Sequence, residues 1–117
     1  MSEISRLEQN LIIKKIDSET INIRVTNNDI LVSIVGQFDQ NLKDLSKLTN
    51  TMVFFRGNSI TCKGTITNTS AFSEAVKFLI NKYLLTKIIE KEDIILSVKK
   101  NIEHEESNVK SFKQLIK

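Results

Sequence analysis

Proline is absent from this chain of 117 residues, and glycine occurs only three times, at positions 36, 57 and 64. With so few residues that interrupt helices or strands, each glycine marks a break the backbone needs. A single cysteine, Cys62, excludes an intrachain disulfide framework. One Cys and one His, His104, are too few for a structural zinc site, which usually takes four protein ligands. No run approaches the roughly 18 apolar residues of a membrane span. The opening MSEISRLEQN carries charge throughout and lacks the apolar stretch of a signal peptide, so the expected location is the cytoplasm.

Dense charge of one sign is also lacking. The net charge is +3. Residues 22–68 hold five Lys or Arg against three Asp, and residues 82–117 hold eight Lys against six Asp or Glu. Any phosphate binding must therefore rest on local placement rather than on bulk field. What is present is apolar: 40% of residues are hydrophobic, enough for one domain with its own core. No internal repeat or low-complexity tract interrupts it.

Periodicity divides the chain. Residues 1–20 are ambiguous, since Leu11, Ile12 and Ile13 suit either a strand or a short helix, and they read as an N-terminal extension. Ile21, Ile23 and Val25 alternate with Asn22 and Arg24, which predicts a strand. Asn27-Asn28-Asp29 offers turn and N-cap chemistry for a short apolar helix over Ile30 to Val35, which Gly36 ends. Asp39 is a second N-cap candidate, and Leu42, Leu45 and Leu48 recur as on one helix face. Two short helices are thus joined by a tight loop, Gly36-Gln37-Phe38-Asp39.

A hairpin follows, with Thr51 to Arg56 and Ser59 to Gly64 as strands and Gly57-Asn58 as the turn. A two-residue turn pairs Phe55 with Ile60 and Val53 with Cys62 on one apolar face, leaving Met52, Phe54, Arg56, Thr61 and Lys63 on the other. Asn68, Thr69 and Ser70 offer caps for a long helix carrying Phe72, Ala75, Val76, Leu79, Ile80, Tyr83 and Leu84. A last helix over Glu92 to Ile102 would bury Ile94, Ile95, Val98 and Ile102 on one side. Residues 103–117 read as a charged linker or tail with a weak apolar anchor around Phe112 and Leu115. The expected fold is α+β: a three-stranded antiparallel sheet with about three helices on one face, plus a C-terminal helix.

The order strand, helix, glycine loop, helix, strand, strand, helix over residues 21–102 resembles the type I KH domain. Within that group the chain is similar to the N-terminal domain of PhoH-like proteins. The residues that carry the likeness are Gly36-Gln37-Phe38-Asp39-Gln40-Asn41-Leu42, similar to a G-x-x-D-x-N-L stretch, and Arg56-Gly57-Asn58 with Ile60 and Gly64. The resemblance implies a P-loop ATPase domain on the C-terminal side, which would use ATP and Mg. This chain itself carries no G-x-x-x-x-G-K-[ST], because no two of its glycines have that spacing. Neither a cofactor nor catalysis is expected of these residues.

In KH domains the loop between the first two helices approaches a nucleic-acid backbone. Gly36 corresponds to the first loop glycine, while Asp39 stands where such a domain has its second. A carboxylate there would repel phosphate, and as an N-cap it would occupy amides that phosphate would use. The plain alternative is that Gly36 and Asp39 are a C-cap and an N-cap. Lys43 and Lys47 share a helix face opposite the leucines. With Arg56 and Lys63 on the hairpin they make a candidate phosphate-binding set, or ordinary solvated surface. Phe38 and Phe54 are candidate base-stacking rings. Alternatively, Phe38 is a hydrophobic staple and Phe54 is core beneath an N-terminal element.

The expected function is single-stranded RNA binding through Gly36, Gln37, Phe38, Lys43, Lys47, Arg56 and Lys63. The alternative is an interaction or homo-oligomerisation domain that packs on its ATPase partner. Cys62 is expected to be buried and inert. His104, within Glu103-His104-Glu105-Glu106, is expected to be part of a solvated charge run.

Overall fold

The alternation of Ile21, Ile23 and Val25 does produce a strand, but that strand is not the first. The computed structural model describes residues 10–99. It opens with β1 (Leu11–Asp17), which pairs antiparallel with β2 (Thr20–Val25) in the register Leu11 to Val25 and Ile13 to Ile23. The connection is closed by Asp17, whose Oδ1 accepts from the Glu19 amide at 2.8 Å, the local side-chain turn that Asp favours. The expected three-stranded sheet is therefore four-stranded, and residues 11–17 belong to the sheet rather than to an extension. The run Ile12-Ile13-Lys14-Lys15-Ile16 conceals this because its apolar residues do not keep to one face. Leu11 is buried, whereas Ile12 and Ile16 are exposed.

Asn27 opens α1 (Asn28–Val35), its side-chain oxygen accepting from the amides of Asp29 and Ile30. This satisfies two donors that a helix start leaves without partners. Gly36 ends α1 at φ 78°, ψ 174° and returns its N–H to the Val32 carbonyl. A short 3-10 turn, Gln37–Asp39, leads into α2 (Gln40–Thr49). Here Asp39 departs from expectation: it adopts a left-handed conformation (φ 59°, ψ 20°), and its side chain makes no capping hydrogen bond. On α2 the buried positions are Leu42, Leu45 and Thr49, and Leu48 is 42% exposed. The spacing of 3.6 residues per turn carries the buried stripe from Leu45 to Thr49 instead of to Leu48.

Strands β3 (Met52–Arg56) and β4 (Ser59–Lys63) form the hairpin with Phe55 opposite Ile60 and Val53 opposite Cys62. Gly57, at φ 62°, supplies the positive φ that a two-residue hairpin turn takes at its first position. β4 also pairs with β2, giving an antiparallel sheet of order β1-β2-β4-β3.

The long helix α3 (Ile66–Thr86) begins earlier than Asn68–Ser70 would allow, because Thr65 is the cap. The Thr65 hydroxyl accepts from the Asn68 amide at 3.1 Å. Asn68 is then inside the helix, and its side chain donates to the Asn50 carbonyl, tying α3 to the end of α2. Residues 91–99 form α4. Asp93 folds back to accept from the Glu90 amide at 2.8 Å and faces Lys82 at 3.6 Å, a cap of the type that closes a helix start. Ile94 and Val98 are buried, but Ile95 is 49% exposed, so the expected apolar stripe is narrower. Ile102 and the tail, including His104, Phe112 and Leu115, lie outside the described residues.

One core lies between the sheet and the helices. Ile23, Val25, Ile60 and Cys62 from the sheet meet Ile30, Ile34, Leu45, Phe72, Val76, Leu79 and Ile80 from the helices. Each buried Ile, Leu, Val or Phe among them contributes about 1.5–3 kcal/mol by leaving water. α3 contacts α1, α2, β2 and β4, so it is the element that clamps the helical layer to the sheet. Among the described residues no helix is long and apolar enough to cross a membrane.

Candidate nucleic-acid interface

The loop between α1 and α2 holds three positive-φ residues within four positions: Gly36 (φ 78°), then, after Gln37, Phe38 (φ 55°) and Asp39 (φ 59°). For residues other than glycine, each left-handed conformation costs about 1–2 kcal/mol. The loop is held in this shape from behind. The Asn41 side chain donates to the Ser33 carbonyl at 3.2 Å, bridging the end of α1 to the start of α2. The loop itself closes with the Asp39 amide on the Gly36 carbonyl at 3.3 Å and the Gln40 amide on the Gln37 carbonyl.

This shape puts Phe38 into solvent. The ring is 85% exposed, the most exposed large apolar side chain among the described residues. A staple packed against α2 would be covered, so that alternative does not hold for Phe38. Gln37, Asp39 and Gln40 are exposed beside it. Because the Asp39 carboxylate caps nothing, it does not occupy the first-turn amides of α2. The 3-10 turn does use two nearby amides, those of Asp39 and Gln40. Side chains rather than backbone amides are thus the chief polar groups that this loop leaves open. Lys43 and Lys47 are both exposed on α2, one helical turn apart on the side away from Leu42 and Leu45.

Arg56 and Lys63 do not join them. Val53, Phe55, Ile60 and Cys62 point into the core, so the alternation of the hairpin turns Met52, Phe54, Arg56, Thr61 and Lys63 to the opposite sheet face. The set of seven residues expected from the sequence therefore divides. Gly36, Gln37, Phe38, Lys43 and Lys47 lie on the helical layer, while Arg56 and Lys63 lie on the outer face of the sheet. Phe54 lies with the latter and is 51% exposed, so it is not core beneath an N-terminal element. That element, β1, sits beside β2 at the other edge.

Two cations of the outer face, Arg24 and Lys14, were not among the expected site residues. Arg24 stands between Ile23 and Val25, both buried, so alternation alone turns it outward. Lys14 follows from the register, since it pairs with Asn22 and shares that face. Its position could not be read without knowing that residues 11–17 are a strand.

The titratable groups with displaced pKa values lie elsewhere. The Asp17 carboxyl is held below its ordinary 3.8 first by the Glu19 amide, then by the Thr20 hydroxyl and, more weakly, by the Lys63 charge. Burial pushes the Cys62 thiol up to about 11, against a smaller opposing effect of its hydrogen bond with Thr51. Cys62 is fully buried and carries no base beside it, so it packs as a small apolar side chain. Among the described residues no three His, Cys, Asp or Glu side chains gather in a way that could hold a metal ion.

No protein-family model matches the chain, and no curated protein is significantly similar to it.

Proposed function

We propose that this chain is a non-catalytic nucleic-acid-binding module of the KH type, which holds single-stranded RNA along the Gly36–Asp39 loop and the exposed side of α2. The observation that carries the reading is the loop itself. It keeps Phe38 and Asp39 in left-handed conformations and holds an apolar ring in water, with Lys43 and Lys47 on the helix that follows. Strain of this kind persists where the surrounding structure enforces it, and functional loops are where it collects. Phe38 would stack on a base, Lys43 and Lys47 would neutralise phosphates, and Gly36 would let the backbone turn between the helices.

The order from β2 through α1, α2, β3 and β4 to α3 is the order expected of a KH domain, here with β1 added at the sheet edge. In a PhoH-like protein the module would present RNA to a P-loop ATPase domain, and ATP and Mg would belong to that partner.

A second reading, an interaction domain that packs on such a partner or on a second copy, is favoured by apolar surface near the end of the described chain. Leu85, Ile88, Ile95 and Leu96 are all exposed there, from 47% to 76%.

Fluorescence anisotropy of a labelled single-stranded oligoribonucleotide separates the two. Under the RNA reading, binding weakens as salt rises. The Lys43→Glu/Lys47→Glu variant would lose affinity and lower the slope of log K against log salt by about 1.4, or about 0.7 per phosphate contact. Absence of binding at high micromolar protein and low salt, with concentration-dependent self-association by sedimentation, would favour the interaction domain.

A further inference from the structure

The sheet face turned away from the helices has an ordered arrangement of its own. The pairing register lines up Ile12, Arg24, Ser59 and Arg56 across the four strands, and next to that row Lys14, Asn22, Thr61 and Phe54. Neighbouring strands lie about 4.8 Å apart, so Arg24 and Arg56 flank Ser59 with their backbones about 10 Å apart. Phe54 is one pleat repeat along β3 from Arg56, about 7 Å away. Lys14, Arg24, Arg56 and Phe54 are all exposed. None of the three cations takes part in an ion pair among the described residues. Apart from Asp17 beside the β1–β2 turn, no strand position on this face is acidic. Asp17 lies near Lys63, at the end of the sheet opposite Arg24 and Arg56.

The middle of the face is polar and already organised. Ser59 Oγ donates to Asn22 Oδ1, and Asn22 Nδ2 donates to Thr61 Oγ1, both at 3.2 Å. A hollow of about 730 Å³ lies over this row, and its lining includes Asn22, Phe54, Arg56, Ser59 and Thr61. An acidic polypeptide would satisfy the three cations but would leave the aromatic ring and the amide and hydroxyl row unused. A single strand of nucleic acid matches all three features: phosphates for the cations, a base for the ring, and base edges for the polar row.

We propose that the outer face of the sheet is a second single-strand nucleic-acid platform, in which Phe54 stacks a base and Lys14, Arg24 and Arg56 neutralise phosphates. It lies on the opposite side of the molecule from the Gly36 loop and does not depend on that loop binding RNA.

The test compares four full-length proteins by anisotropy, using a labelled single strand of about ten nucleotides, within the span that single-strand sites cover. These are the wild type, Arg24→Gln/Arg56→Gln, Phe54→Ala and Lys43→Glu/Lys47→Glu, each checked for its fold by circular dichroism. All the changed side chains are exposed, and the glutamines remove charge while retaining polar length. The platform requires the Arg24/Arg56 variant to weaken binding and to lower the salt slope by about 1.4. It requires Phe54→Ala to weaken binding about tenfold with the salt slope unchanged. Wild-type affinity in both sheet variants overturns the platform, whatever the α2 variant does. Full displacement of the strand by polyglutamate, together with an unchanged Phe54→Ala affinity, also overturns it by reducing the face to a general anion surface. Loss confined to Lys43→Glu/Lys47→Glu leaves the loop site alone. Loss confined to the sheet variants leaves the platform and removes the loop site.

Discussion

A methyl group on Gly36 would stand 2.5 Å from the side-chain nitrogen of Asn41, and Asn41 is fixed there by donating to the Ser33 carbonyl at 3.2 Å. Gly36 also occupies a backbone region (φ 78°, ψ 174°) that is essentially glycine's alone and costs another residue about 1–3 kcal/mol. Gly36→Ala is therefore expected to destabilise the fold by that amount plus the collision. Asn41→Ala should cost about 1 kcal/mol for its lost hydrogen bond. The two are not additive. In the double variant the clash with the Asn41 amide is gone and only the tight contact with its Cβ at 3.1 Å remains, so urea denaturation should give a total smaller than the sum of the single effects. Simple additivity would mean that Asn41 moves aside freely.

At Phe38 the demands of stability and binding oppose each other. The ring is 85% exposed and contributes little burial, while its backbone sits at φ 55°, ψ 34°. Asparagine tolerates that conformation better than phenylalanine does. Phe38→Asn is expected to raise stability by up to about 1 kcal/mol and to weaken RNA binding. A loss of stability on denaturation would show that the ring packs against something in solution.

The loop was legible in the sequence as a loop, because Gly36 and the leucines of α2 bracket it. Its inner geometry was not. Asp39 has the chemistry of an N-cap, but the short 3-10 turn places it in a left-handed conformation where its carboxylate does not cap α2. Similarly, Thr65 caps α3 although Asn68 offers the same capping chemistry. The Asn68 side chain is instead engaged by the Asn50 carbonyl, 18 residues away, a contact that local sequence does not reveal. The hairpin register could be read fully, since the two-residue turn at Gly57-Asn58 fixes every pair. The same register separates Arg56 and Lys63 from the α2 lysines. β1 escaped because an edge strand buries little on either face and so loses its alternation: among its residues only Leu11 is buried.

Caps give a prediction independent of any ligand. Thr65 Oγ1 holds the Asn68 amide, and Asn27 Oδ1 holds two amides at the start of α1. Thr65→Ala and Asn27→Ala should each lower stability by about 1 kcal/mol. The same changes to Gly should cost only a few tenths, because glycine exposes the helix end to water. Thermal melts of the four variants would distinguish capping from packing, since a packing role would make Gly the worse replacement.

Cys62 predicts alkaline behaviour. Its folded pKa, about 11, is above the ordinary 9.0. The neutral thiol is thus favoured in the folded state, and its contribution is full below pH 9, then lost as pH rises towards 11. Native protein at neutral pH should react with a thiol reagent only as fast as it opens, so labelling should accelerate with denaturant. Cys62→Ser should be destabilising because a hydroxyl costs more to bury than a thiol, and a bond to the Thr51 side chain offsets only part of that cost. Rapid labelling of the native protein at neutral pH would contradict the burial.

Asp17 carries the opposite sign. Its carboxylate accepts from the Glu19 amide, which favours the charged form and holds the folded pKa below 3.8. The stabilisation is therefore present above pH 3.8 and is lost as pH falls through the lower folded value. The carboxyl lies at the surface, so the effect is local to the β1–β2 turn rather than global. A carbon-detected NMR titration should place the Asp17 midpoint below that of a free aspartate. Asp17→Asn, which keeps the acceptor oxygen and removes the charge, should abolish the acid dependence of the Glu19 amide shift while preserving the turn. An unshifted Asp17 midpoint would mean that the Glu19 amide does not hold the carboxylate in solution, and the closure of β1 onto β2 would then rest on the strand pairing alone.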